Sequence, residues 1–144
     1  MYDLTIEMEQ RAANAITEIG RPDGDRLDFT PSSLAVVDQL FRTIREEAKK
    51  SPEGELLLVT HYLNFTGYLG EVIRRNLGGF WTKAKDGTPA LSFGDTIVPI
   101  PNTVFALLHG KQINMGGTVV STATEYYMFL QNLQQSWQVQ KKNN

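Results

Sequence analysis

The sequence predicts an α+β fold: three N-terminal helices, a three-stranded antiparallel meander and two C-terminal helices, in a single domain over residues 1–144. Three observations carry that reading. Helical and extended patterns are segregated along the chain instead of alternating, which points to an antiparallel sheet covered on one face. The pair Asp86-Gly87, which favours a tight hairpin turn, lies between two extended runs. Neither Gly78-Gly79 nor Gly116-Gly117 has the spacing of a phosphate-binding loop, which argues against a nucleotide-binding βαβ unit.

The first helix spans residues 3–19, where Leu4, Ile6, Met8, Ala12, Ala15, Ile16 and Ile19 recur among acidic and amide residues, and it stops at Gly20. Thr30 is suited to cap the second, Pro31 to its first helical position, and Phe29 to pack on Leu34 as a staple. Leu34, Val37, Leu40, Phe41, Ile44 and Ala48 then follow at helical spacing until Ser51-Pro52-Glu53-Gly54 breaks the pattern. A long third helix runs from about Glu55 to Leu77 and ends at Gly78-Gly79. Strands are predicted at 80–85 and 88–93 around Asp86-Gly87, and at 96–100, where Pro99 cannot donate a ladder hydrogen bond and marks an edge. Asn102 or Thr103 caps a short helix through Leu108, closed by Gly110, and residues 111–120 read as irregular or extended. Thr122 and Glu125 have capping-box spacing, and Tyr126, Leu130, Leu133 and Trp137 lie on one face of the fifth helix. The polar end, from about 138 to 144, is expected to fray.

Composition limits the function classes. The 14 basic and 16 acidic residues are interspersed, for a net charge of −2, and give no concentrated field to draw a phosphate backbone, so nucleic acid is not expected as a partner. The longest strongly apolar run, Leu56 to Val59, is far shorter than a bilayer span, and the acidic opening MYDLTIEMEQ lacks the features of a secretory signal; a cytoplasmic setting without membrane contact is expected. The chain has no cysteine and two histidines, His61 and His109, which removes thiolate chemistry. No close ligand motif is present, so neither a metal nor a cofactor is expected. His109, near the end of the fourth helix, reads as a cation at the negative end of a helix dipole.

The candidate site lies on the third helix. Winding it at ~100° per residue places Leu58, Tyr62, Phe65, Leu69, Val72 and Ile73 on an apolar arc. His61, Asn64, Tyr68, Glu71 and Arg75 share another side. An imidazole, an amide, a phenol, a carboxylate and a guanidinium together suit recognition of a polar ligand or a protein partner; the alternative is the wet side of an amphipathic helix, with Glu71 and Arg75 as an ordinary i,i+4 pair. Gly67 and Gly70 each cost about 1 kcal/mol relative to alanine inside a helix, and close approach of another backbone is the expected compensation.

The strings L27-D-F-T-P-S-S-L-A-V-V-D38 and G67-Y-L-G-E-V-I-R-R-N-L-G-G-F-W81 resemble the two signature blocks of an uncharacterised family of small bacterial α+β proteins. A fainter likeness continues from Pro99 to Gly110. The resemblance implies the same order of elements and a bacterial cytoplasmic setting, and it assigns no catalytic role to Glu71 or the arginines.

Two functions are consistent with these residues. The first is a non-enzymatic interaction domain that binds a protein or a small polar ligand through His61, Asn64, Tyr68, Glu71 and Arg75, with self-association through exposed aromatics as a further expectation. The second is a small hydrolase or transferase in which Glu71 acts with a residue from the sheet or the Gly116-Gly117 loop. Glu71 and His61 are ten residues apart, or ~15 Å along a helix axis, and cannot form a direct proton relay.

Overall fold

A computed structural model describes residues 3–143, with side chains described as far as Ser136. Helix α1 (Leu4–Ile19) begins at Asp3, whose carboxylate accepts from Thr5 N at 2.9 Å. It buries Met8, Ala12 and Ala15 along one face, against α3 (Gly54–Leu77). The small side chains on that face matter because α1 and α3 approach closely. A Cβ added to Gly67 would stand 2.7 Å from Met8 O and 2.8 Å from Ala12 N. That is the backbone approach expected to compensate Gly67. At Gly70 the compensation is a ring instead: an added Cβ would lie 2.1 Å from Cη2 of Trp81.

Helix α2 (Leu34–Lys49) buries all six of the apolar residues its spacing selects. Its start differs from the expectation. Pro31–Ser33 form a separate 3₁₀ turn, and the Thr30 hydroxyl donates to Asp28 at 2.6 Å instead of capping the helix. Helix α3 then runs without interruption through the centre of the domain, packed against α1, α2, α4 (Pro101–Leu108) and α5 (Ala123–Asn143).

Strands β1 (Phe80–Lys83), β2 (Pro89–Phe93) and β3 (Thr96–Pro99) form the expected antiparallel meander in the order β1-β2-β3, with Pro99 on an edge strand. Trp81, Leu91 and Val98 are in register and buried, whereas Phe80, Ser92 and Ile97 share the other face, where Phe80 and Ile97 are exposed. The β1–β2 connection is wider than a two-residue turn. Ala84 O accepts from Gly87 N, Ala84 N donates to Thr88 O, and within Asp86-Gly87 only Gly87 has positive φ, as in a type I turn closed by a left-handed glycine.

The two C-terminal helices are separated by a second sheet, β4 (Ile113–Met115) paired with β5 (Thr118–Val120), where the sequence suggested only irregular or extended chain. Each strand is too short to show an alternating pattern. The turn signal was nevertheless present: Gly116 and Gly117 both take positive φ and join β4 to β5 by a two-residue turn, the kind expected at Asp86-Gly87. Helix α4 starts at Pro101, one residue ahead of the expected caps.

At the start of α5 the expected capping box forms in part: Thr122 Oγ1 accepts from Glu125 N, while the Glu125 carboxylate accepts from Ser121 N, one residue before the cap, both at 3.0 Å. Asp38 of α2 adds a long-range cap, accepting from Ala123 N at 2.7 Å and from the Thr124 hydroxyl at 2.6 Å. Tyr126 and Leu130 are buried; Trp137 and the fraying expected from about 138 to 144 lie outside the described side chains. No helix among the described residues is long and apolar enough to cross a membrane.

Candidate functional site

The five residues expected to form a polar binding face do not form an exposed one. Tyr68 and Glu71 are fully buried and Asn64 nearly so, because residues 64–73 of α3 are enclosed on every side. A helix at the centre of a domain has no wet side along that length, so its polar side chains must find partners inside the protein.

Glu71 finds four donors. Arg74 Nε at 2.6 Å and Trp81 Nε1 at 2.8 Å reach Oε2; Arg74 Nη2 at 2.8 Å and Arg75 Nε at 3.2 Å reach Oε1. Burial pushes the carboxyl pKa up, but the hydrogen bonds from Arg74 and Trp81 and the charges of Arg74 and Arg75 outweigh it and leave the group below its ordinary value. Arg74 extends the cluster to Glu9 of α1 at 3.3 Å. One buried carboxylate thus ties together α3, α1 and β1. Neither Arg74 nor Trp81 belongs to the predicted set. Arg74 is the i+3 neighbour of Glu71 and was legible as such, while Trp81 reaches back from the sheet and carries no local signal.

Tyr68 and Arg75 do point the same way, as the helical spacing requires. The Tyr68 ring stacks on Phe29 with centroids 5.0 Å apart, and the Arg75 guanidinium lies 3.8 Å from the same ring centroid. Phe29, expected to staple the start of α2, instead adopts φ 64° and sits between these two α3 side chains. The Tyr68 hydroxyl accepts from Phe29 N at 3.1 Å and pairs with the Ser33 hydroxyl at 2.7 Å. Burial raises its pKa, with these bonds opposing in part. His61 stands apart from this group: its Nδ1 is buried without a hydrogen bond among the described residues and lies 3.8 Å from the Glu18 carboxylate on α1.

The arrangement has limited chemical capacity. A general base needs a free lone pair within reach of a substrate proton. Glu71 has none: both oxygens are saturated and no part of its side chain is exposed. Among the described residues no group of three His, Asp or Glu could hold a metal ion.

A cleft of about 560 Å³ opens between α2 and the start of α3, lined in part by Arg45, Lys49, Glu55 and His109. Its charged groups bind one another and the backbone. Arg45 donates to the carbonyls of Leu107 and Leu108, His109 contacts Phe105 O and the Glu55 carboxylate, and Lys49 pairs with Glu46. His109 thus sits at the carbonyl end of α4, the position expected for it from the sequence.

The N-terminal half of α3 is partly open to water, and besides Glu55 and Thr60 its exposed side chains are apolar. Leu56 is 62% exposed, Val59 44% and Leu63 40%, all on one side of the helix. Phe105 of α4, 39% exposed, borders the stripe through an edge-to-face contact with Tyr62 at 5.6 Å. These residues were absent from the sequence-based site. The signal was that α3 carries apolar residues on two sides, one more than an amphipathic helix needs. A second apolar cleft, of about 460 Å³, lies between β5 and α5 and is lined by Val119, Met128 and Phe129 among others. No family model, curated protein or solved structure matches the chain, so the functional reading stands on this geometry.

Proposed function

We propose that the protein is a non-enzymatic interaction domain whose working surface is the apolar stripe on the N-terminal half of α3, with the polar set at its other half serving to hold that helix in place. The observation that carries this is the stripe itself. Three large aliphatic side chains stay in water on a helix that is enclosed from Asn64 to Ile73, and a contiguous apolar patch of this kind on a monomer marks a contact surface. The Glu71 cluster supports the reading from the other side, since its saturated carboxylate has no site for a substrate. The same surface accounts for self-association or for capture of an apolar helix from another chain.

A photo-crosslinking amino acid placed at Val59 tests this in the cells that make the protein, with the same probe at Thr43, on the exposed outer side of α2, as control. A discrete adduct at position 59 that disappears in the Leu63→Glu background, and that is absent at position 43, is the expected result. Equal labelling at both positions, or none at position 59, removes the reading.

A further inference from the structure

We infer that the occupant of the α3 stripe is a second copy of this chain, bound through a two-fold contact in which the two α3 helices run antiparallel. The inference rests on the interaction reading above and deepens it by naming the partner. Leu56, Val59 and Leu63 are separated by three and then four residues, the alternation that keeps a seam on one side of a helix facing a second helix. A two-fold axis passing beside Val59 and Thr60 brings Leu56 of one copy against the Leu63 position of the other and sets the two Val59 side chains together. The same three residues then complete both halves of the contact, which is the self-complementarity that an isologous interface requires.

Charge selects the orientation. The stripe starts beside Glu53 and Glu55, both exposed, so a parallel pair would gather four carboxylates at one end. An antiparallel pair places them at opposite ends. The seam itself is uncharged, and its one polar side chain, Thr60, already donates its hydroxyl to Leu56 O at 2.8 Å, so covering it leaves no hydroxyl hydrogen without an acceptor.

Size sets the expected strength. Leu56, Val59, Leu63 and Phe105 together expose roughly 300 Å² of apolar surface per copy, the lower part of the range for functional patches. With a polar rim, two copies would bury on the order of 1,000 Å², the low end for a specific contact. The dimer is therefore expected to be weak and reversible, half formed at protein concentrations on the order of tens of micromolar.

The absence of cysteine from the sequence makes a clean test available. Val59→Cys carries the only thiol of its chain, and mild oxidation at about 100 μM is expected to convert it to a disulfide-linked dimer at least ten times faster than Thr43→Cys. Leu56→Cys mixed with Leu63→Cys is expected to form the mixed disulfide ahead of either homodimer, and sedimentation velocity of the unmodified protein is expected to show dimer growing in over the same concentrations. A protein that stays monomeric to about 300 μM, with Val59→Cys no faster than Thr43→Cys, overturns the inference. So does faster pairing of Leu56→Cys with itself than with Leu63→Cys, since that specifies the parallel arrangement. An adduct to a different protein from the Val59 photo-probe, with the chain monomeric, overturns the second-copy inference while leaving the interaction reading intact.

Discussion

The two halves of α3 invert the usual distribution of side chains. From Asn64 to Ile73 the helix is enclosed, yet it carries a carboxylate, a phenol and an amide; from Glu55 to Leu63 it is partly open to water, yet three of its exposed side chains are Leu56, Val59 and Leu63. The carboxylate and the phenol of the enclosed segment are satisfied inside the domain. Glu71 gathers four donors from three side chains, and Tyr68 bonds both the Phe29 amide and the Ser33 hydroxyl. A buried charge with complete hydrogen bonding orients the elements it joins, though its net contribution against an apolar replacement is small or negative. The apolar residues of the second half have no such internal reason. Polarity alone is thus a poor guide to function on a central helix, and the decisive quantity is whether each group has a partner inside the domain.

The largest effect expected from this contrast follows removal of the carboxylate. Glu71→Ala strands Arg74, Arg75 and the Trp81 indole N–H. Because the arginines are partly exposed and can rehydrate, the loss is placed at about 3 kcal/mol, the lower end for a broken buried pair. For a chain of this length that lowers Tm by roughly 10 °C, measurable by circular dichroism or calorimetry. The pH dependence has a definite sign. A carboxyl held below its ordinary pKa contributes stability that is fully present above the unfolded value, about 4.3, and is lost as pH falls through the lower folded value. The acid limb of the wild-type stability curve should accordingly be steeper than that of Glu71→Ala. Equal stability of the two proteins at pH 7 would mean that Glu71 does not hold the buried half together.

A smaller effect is expected at the contact between helices. Gly67→Ala adds a methyl group within 2.8 Å of the α1 backbone, and α1 must move away as a unit because the obstructing atoms, Met8 O and Ala12 N, are main chain. A loss of about 2 kcal/mol is expected from overpacking. A stabilised variant, as helix propensity alone would give, would show that α1 can shift freely over α3. The smallest effect sharpens the comparison from its other end. Leu63→Ser removes an exposed side chain, so the stability of the monomer in dilute solution should change by less than about 0.5 kcal/mol, while association at higher concentration should weaken at least fivefold. A large loss of monomer stability would place Leu63 in the core and remove the distinction between the two halves.

The sequence by itself determined the helices with strong periodicity, the meander and its proline-marked edge, and the capping box before α5, because each depends on interactions within a few residues. It also showed that Glu71 and Arg75 are neighbours and that α3 is continuous. Tertiary structure alone decided which sides of α3 meet water. Helical winding groups side chains by angle but carries no information about what lies outside the cylinder, and the groups that enclose α3 come from distant segments: Met8 and Ala12 from α1, Trp81 from the sheet, Phe29 and Ser33 from the turn before α2. The Asp38 cap on α5 and the hairpin at Gly116-Gly117 were hidden for related reasons, the one spanning 85 residues and the other built from strands of three. Burial is a property of the whole packed chain, and for that reason the candidate surface moved from residues chosen for their chemistry to residues left exposed by the packing.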